Sequence, residues 1–364
     1  MLEVIEFLRE HGLNALSERY KIKTARHGRY PHLVLLKYNQ ISSPMHELIV
    51  QQCRGIIVDE RDWSVVSRPY DKFFNVGENG AAPVDWSSAR ILEKLDGSLM
   101  TLYFAHDQWH VASSGLPDAQ GSAGAGLTMH QLFWRTWQQL GYALPTATYC
   151  CFMFELMTPV NRIVVRHNSP RLVLHGARNL NTMAELEPQA IASALGWGWE
   201  CVQSYLLTSL QETIEAAAQL DPLHSEGFIV RDAAFRRVKI KSPQYVRLHH
   251  LKDGLSTKRM LDVARLNEGA EFLSYFPEWA DDFRAIHERY RNWIAAGEAL
   301  YAELRDIPTQ KDFALRAVKT AHSGALFAVR NRKAASIADF YQTMHLETLV
   351  KFLGLKEDNF APAE

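Results

Sequence analysis

The sequence predicts an α+β protein, with a mixed, largely antiparallel-sheet domain over residues 1–245 followed by an all-helical domain over 246–364. Three observations carry this expectation. Short β-rich runs bounded by polar turns recur between residues 32 and 242. From about residue 245 the apolar positions change to three- and four-residue steps. A chain of 364 residues is also long enough for two domains of ordinary size.

The elements follow in order. MLEVIEFLREHG carries acids within its apolar face, the pattern of an amphipathic helix and not of a signal peptide. HLVLLKY (32–38), GIIVDE (55–60) and VVSRPY (65–70) read as strands. RILEKL (90–95) and SLMTLYF (98–104) flank Asp96-Gly97, a dipeptide that marks a tight turn because Gly accepts positive φ. QWHVASSG (108–115) is expected to pair with them. GSAGAG (121–126) has neither Walker nor Rossmann spacing, and reads as a flexible loop opening the helix MHQLFWRTWQQL (129–140). YCCFMFEL (149–156), RIVVRH (162–167), RLVLHGARN (171–179), GFIVRD (227–232) and RVKIKS (237–242) are strand-like, interrupted by one helix near 209–219. Phe283, Ile286, Tyr290, Trp293, Ala296, Leu300 and Leu304 then mark a long amphipathic helix. Thr309 with Asp312 resembles a capping box, and a final helix is expected over 335–353.

Composition narrows the function classes. The chain is 47% hydrophobic and 22% charged with a formal net charge of −1, which argues against a wholly electrostatic nucleic-acid binder. No apolar run reaches the roughly 18 residues of a membrane span. Cys53, Cys150, Cys151 and Cys201 form no CxxC pair, so reduced core thiols and a cytoplasmic location are expected. A basic run, Arg231, Arg236, Arg237, Lys239, Lys241, Arg247, Lys252, Lys258 and Arg259, faces only Asp232 and Asp253 and suits phosphates.

The residues with chemistry are few. Lys94 is a nucleophile only if something offsets its ordinary pKa of about 10.4. Lys239 and Lys241 alternate with Val238 and Ile240, so on a strand both amines share one face. Brought near Lys94, they would lower its pKa and neutralise a phosphate that it attacks. Glu155 interrupts an apolar strand, and Glu226 starts one beside Gly227. Each carboxylate either forms a structural ion pair, ligates Mg²⁺ or accepts from a ribose hydroxyl. Arg54, Arg68 and Lys72 alternate with Phe73 and Phe74, a mixture that suits phosphates and stacked bases. The adjacent histidines of RLHHLK (247–252) have no second ligand pair at metal spacing.

The order of these residues resembles the motifs of covalent lysine nucleotidyltransferases, and most closely the phage-type RNA ligase 1 family. KYNQ, QCRGIIVD, SRPYDKFFNVGEN, EKLDGSL, FELMTPVNRIVV, EGFIVR and VKIKSPQYVRLH carry the resemblance over about residues 30 to 250. It implies an ATP-dependent RNA ligase that seals 5′-phosphate and 3′-hydroxyl RNA ends, a broken tRNA among the substrates it allows. On this resemblance Lys94 attacks the α-phosphate of ATP, forming lysyl-AMP. Lys239 and Lys241 hold that phosphate, Arg54 and Lys72 contact the phosphates, and Tyr38 lies near the nucleoside. Glu155 meets the ribose and Glu226 helps place Mg²⁺. Asp96 and Gly97 support the nucleophile, with Gly97 leaving room for the ligand, and Tyr245 is a candidate contact for RNA. A carboxylate early in the helical domain, Glu271, is implied as a metal ligand. The family pattern also has a basic residue before Gly115, where this chain has Ser114. A DNA ligase or capping enzyme, or a non-catalytic RNA-binding protein keeping the fold, are the alternatives; helices rather than OB-like strands after the last motif speak against the first two.

Overall fold

The computed structural model describes residues 2–40, 42–195, 198–251 and 256–356. Its described residues fall into two compact units, one made by most of the chain up to His249 and one by the remainder. In the first unit the opening helix, Glu3–Tyr20, buries Val4, Ile5, Leu8 and Leu16. These join Val34, Leu36, Ile56 and Val58 from an antiparallel sheet ordered Ile22–Arg26, Leu33–Tyr38, Arg54–Asp59, Ser64–Ser67.

Two further sheets frame the center of this unit. One runs in the order Glu185–Leu186, Arg171–Asn179, Cys150–Met157, Ser98–Ala105, Gln108–Ser113, with Glu200–Cys201 added beside Arg171–Asn179. The other runs in the order Ser204–Tyr205, Arg90–Lys94, Gly227–Arg231, Arg237–Lys241. Alternation along CCFMFELM explains how the first is covered. Cys150, Phe152, Phe154 and Leu156 face the helix Met129–Gln139, packing on Leu132, Phe133 and Trp137. Residues of the opposite parity, Cys151 and Met153, join Leu35, Ile57 and Tyr103, while Met157 and Val173 meet Leu92, Leu95 and Val202. The last cluster ties the two sheets together. The four cysteines are free thiols, and all but Cys201 are buried.

Several sequence expectations are corrected. Asp96-Gly97 does not close a hairpin: Arg90–Lys94 and Ser98–Ala105 belong to different sheets, so the dipeptide is a crossover. RIVVRH (162–167) forms no strand, because its backbone donors at Val164 and Val165 are taken by the Asp96 carboxylate instead of a ladder. GSAGAG contributes a short strand, Ser122–Gly124, paired with Leu127–Thr128, and Thr128 with Gln131 forms the capping box of the next helix. The residues 247–251 are helical, within Pro243–Leu251. Lys252 and Asp253 lie outside the described residues.

The second unit is helical among its described residues. Ala280–Leu304 buries Phe283, Ile286, Tyr290 and Leu304 against Met260, Phe272, Phe313, Leu326 and Tyr341. Ala296 faces outward, and Gly297 takes the buried position beside it. The expected last helix is two, Ile337–Thr343 and Leu346–Phe352, parted where Met344 adopts extended backbone. Among the described residues no helix is long and apolar enough to cross a membrane.

A buried histidine relay in the first unit has a thermodynamic consequence. Arg29 N donates to His27 Nδ1 at 3.1 Å, His27 Nε2 lies 3.4 Å from His110 Nδ1, and His110 Nε2 lies 3.1 Å from the Ala105 carbonyl. Only one set of neutral tautomers satisfies the chain, and it leaves both Nδ1 atoms accepting. Burial, reinforced by His27, pushes His110 down to about 4 from its ordinary 6.5, and burial also lowers His27. The unfolded chain therefore binds more protons below about pH 6.5, and stability present above that pH is lost as pH falls toward 4. Urea midpoints measured from neutral pH down to about 4 should fall, and His110→Phe should flatten that fall; an identical acid slope in the variant would remove His110 from the account.

Candidate active site

Strand register assembles the first half of the site. Gly227 is paired with Lys94 on one side and Lys241 on the other, so the two lysines lie abreast across three strands. The next row on the same face is Leu92, Ile229 and Lys239. Val238 and Ile240 go to the opposite face and pack with Ile91, Phe228 and Val230. Gly227 sits at φ +148, and a Cβ there would collide with the Ile240 carbonyl and come 2.7 Å from Cα of Lys241. Only glycine lets the lysine-bearing strands close around this point.

Glu226, one residue earlier, is 5% exposed and meets Lys94 Nζ at 2.6 Å, with Lys241 Nζ 3.9 Å from its other oxygen. Burial raises its pKa, and the two ammonium groups oppose that rise. An isolated buried carboxylate costs several kcal/mol, so this pairing is what allows it to be there. Lys239 is treated differently. Burial, then Lys72, Arg54, Lys94 and Lys241, hold its pKa well below the ordinary lysine value. Its Nζ lies 5.0 Å from the Phe73 ring center, which Arg54 also covers at 5.2 Å. The segment carrying Phe73 is fixed by backbone bonds from Lys239 N to Phe74 O and from Val76 N to Lys239 O. Lys72 lies over Tyr38 at 5.6 Å and Phe74 at 5.4 Å. Tyr38, 8% exposed, thus carries a cation on its ring.

The other sheet supplies the facing wall. Glu155 is paired with Leu99 and Val173 in register, on the face that looks toward the lysine sheet. A bulge between Met153 and Phe154 leaves His175 as the extra residue of its strand, and its Nε2 lies 3.4 Å from Glu155 Oε2. Bulges of this kind re-aim side chains beside sites. Tyr70 donates its hydroxyl to the His175 carbonyl at 2.7 Å and lies 4.3 Å beneath the Arg237 guanidinium, which is paired with Glu185. Lys94, Lys239, Arg54, Phe73, Glu155 and His175 line one cavity of about 270 Å³. His175 and Tyr70 were not singled out by sequence reasoning, and Arg237 entered it only as one member of the basic run. A histidine interrupting RLVLHGARN was the available signal, of the same kind as Glu155 in its own strand.

Asp96, Gly97 and Tyr245 act on the frame. Asp96 is 4% exposed; Oδ2 accepts from Val164 N at 2.9 Å and Val165 N at 2.7 Å, and Oδ1 accepts from the Tyr245 hydroxyl at 2.8 Å. Tyr245, 4% exposed, turns its hydroxyl inward to this carboxylate. Gly97 does not adopt positive φ; a Cβ there would lie 2.5 Å from the Leu156 carbonyl and 2.7 Å from Met157 Cγ. The missing side chain leaves room for the neighbouring strand's backbone, and Gly97 also lines the cavity that Lys94 borders.

The basic run is also mostly committed. Arg231 pairs with Glu187, Arg236 with Asp232, Arg237 with Glu185, Lys258 with Glu347 and Arg259 with Asp262. Glu271 lies in the first turn of Gly269–Tyr275 in the second unit. Among the described residues no three His, Cys, Asp or Glu side chains converge as a metal site.

Comparison with known proteins gives one family. A family model described as RNA ligase matches residues 52–245, more than half of the chain. Among curated relatives, a bifunctional polynucleotide kinase/RNA ligase of Autographa californica nuclear polyhedrosis virus is 30% identical over 76% of this chain and 42% of its own length. An RNA ligase of Rhodothermus phage RM378 is 25% identical over 75% of this chain and 77% of its own. The chain thus spans less than half the length of the first relative. Among solved structures, a Naegleria gruberi RNA ligase with ATP and Mn shows 15% identity and a TM-score of 0.36 over 44% of this chain and 51% of that one.

Chemically, the cavity opposes an amine held by a carboxylate to a bank of cations, with an aromatic ring and a second carboxylate beside them. Its shape rests on the close approach at Gly97. Gly97→Ala should destabilise the unit by about 1–3 kcal/mol in urea unfolding, the usual range for overpacking. Tyr245→Phe should cost about 1.5–3 kcal/mol by removing a hydrogen bond to a carboxylate. A Gly97→Ala midpoint equal to wild type would show that the two strands are not in contact there.

Proposed function

Since the chain belongs to the RNA ligase family, we propose that it is an ATP-dependent RNA ligase joining 5′-phosphate to 3′-hydroxyl RNA ends through lysyl-AMP. The observation that carries this reading is the placement of Lys94 abreast of Lys241, against Glu226, at a cavity shared with Lys239 and Arg54.

The steps follow from the contacts. Lys94 must shed a proton before it attacks, and Glu226, 2.6 Å away with a pKa raised by burial, is the acceptor at hand. Attack on the α-phosphorus forms the P–N bond and expels pyrophosphate. Lys239, Lys241, Arg54 and Lys72 offset charge on the phosphoryl oxygens, where preorganised cations contribute most. Glu155 accepts from the ribose, with His175 Nε2 3.4 Å from it on the same wall. AMP then passes to the 5′-phosphate of an RNA end, Lys94 recovering its proton as the P–N bond breaks. The 3′-hydroxyl of the second end attacks the activated phosphate and releases AMP, closing the strand.

The donor set fits Mg²⁺, an ion that keeps waters and leans on one or two carboxylates plus phosphate oxygens. Glu226, whose oxygens face Lys94 and Lys241, is the carboxylate that would hold the ion beside the phosphates. Bound with ATP, Mg²⁺ supplies neutralisation of the leaving pyrophosphate.

Incubation with α-labelled ATP and Mg²⁺ should leave label on the denatured protein, and Lys94→Ala should abolish it. Lys239→Ala should slow labelling by about 10²–10³, the usual cost of one preorganised charge-stabilising group. Label from GTP in place of ATP would point to a capping enzyme, and joining of DNA in preference to RNA to a DNA ligase. An unlabelled wild type would sink the enzymatic reading and leave RNA binding without catalysis.

A further inference from the structure

Lys37 takes no part in the steps above. We propose that it is a phosphate-binding residue of this site, projecting from the strand Leu33–Tyr38 and contacting phosphates beyond the one Lys94 attacks. The inference rests on the ligase reading for the identity of those phosphates, but not for the existence of the site.

Geometry carries it. A bulge between Leu36 and Lys37, with Gly55 at φ +94 opposite it, brings Lys37 directly across from Arg54. On its other side Lys37 is paired with Lys23, so three cations stand abreast on three strands. Like charges directly opposite one another are destabilising and need a compensating partner. The partner found for Lys37 Nζ is a neutral hydroxyl, Ser114 Oγ at 3.2 Å. Among the described residues Lys37, Arg54, Lys72 and Lys239 form no ion pair with a carboxylate, and Arg54 Nη1 is buried with no hydrogen-bond partner. Burial, then Arg54 and Lys23, lower the Lys37 pKa. Arg54 also lowers that of Lys239. One uncompensated field therefore runs from the cavity through Arg54 to Lys37.

An anion is what such a row lacks. Arg54 lines the cavity while Lys37, its register partner on the next strand, does not, so an anion held by Lys37 is a different phosphate from the one Lys94 attacks. The chemistry is that of phosphoryl oxygens, from either of two sources: the outer phosphates of ATP, which leave as pyrophosphate, or the 5′-phosphate of an RNA end.

Lys37→Met, Lys37→Arg and the exchange Lys37→Ser with Ser114→Lys test it. Calorimetric titration with inorganic pyrophosphate, single-turnover labelling by ATP and joining of pre-adenylated RNA are the three measurements, with urea midpoints checking folding. Lys37→Met should weaken pyrophosphate binding or slow one reaction by about tenfold or more at an unchanged midpoint, while Lys37→Arg and the exchange recover most of it. Loss in pyrophosphate binding and labelling assigns the ATP tail; loss in joining alone assigns the RNA phosphate. Wild-type behaviour of Lys37→Met in all three, or a loss that follows a lowered midpoint, overturns the proposal. An unlabelled wild type whose pyrophosphate binding still depends on Lys37 would defeat the ligase reading and leave the phosphate site standing.

Discussion

Everything at the candidate site depends on one buried carboxylate held between two ammonium groups. Glu226 is nearly excluded from solvent, with Lys94 at 2.6 Å and Lys241 at 3.9 Å. Removing either lysine would leave charge uncompensated in a poorly solvated place, which costs more than the pair itself is worth. The arrangement is reached through register alone. Gly227 aligns both lysines, and a one-residue slip of either neighbouring strand would send its lysine to the apolar face now filled by Ile91, Phe228, Val238 and Ile240. The hydrophobic core beneath this sheet is therefore what specifies the chemistry above it.

The facing sheet depends on a second constraint of a different kind. Leu92 and Leu95 from one sheet and Met157 and Val173 from the other share a small cluster beside the cavity. Gly97 lets the crossover press on the backbone at Leu156, and Asp96 ties that crossover to Val164, Val165 and Tyr245. Neither residue touches the cavity with a reacting group. They fix where Lys94 ends its strand, so the position of that lysine is set by hydrogen bonds to a loop outside the cavity.

What was legible in the sequence follows from these two kinds of constraint. The shared face of Lys239 and Lys241 is a consequence of period 2, visible in VKIK before any neighbour is known. Glu155 stood out because a carboxylate in CCFMFELM demands a polar surrounding. KLDG was read as a local turn, and locally it has every feature of one. Its true course is decided by pairing partners about 60 and 130 residues away, at Glu155 and Gly227. RIVVRH failed as a strand for a related reason, since its donors are claimed by a side chain whose distance in sequence hides it. His175 enters the site through a bulge, and no periodicity announces which residue a bulge will re-aim.

Charge shows the same division most clearly. A count of basic residues between 231 and 259 suggested a phosphate-binding surface, yet Arg231, Arg236, Arg237 and Arg259 each meet a carboxylate. A cation already neutralised offers a phosphate little, because the carboxylate competes for it and repels the newcomer. The uncompensated positive charge of this unit comes instead from Lys239, Arg54, Lys72 and Lys37, drawn from four separate stretches of sequence and, among the described residues, without an ion pair to a carboxylate. Binding charge is thus defined by what the fold withholds from each cation. That quantity belongs to the tertiary structure: strand Leu33–Tyr38 sets the Lys37 ammonium against the neutral Ser114 hydroxyl, a contact that neither stretch of sequence announces.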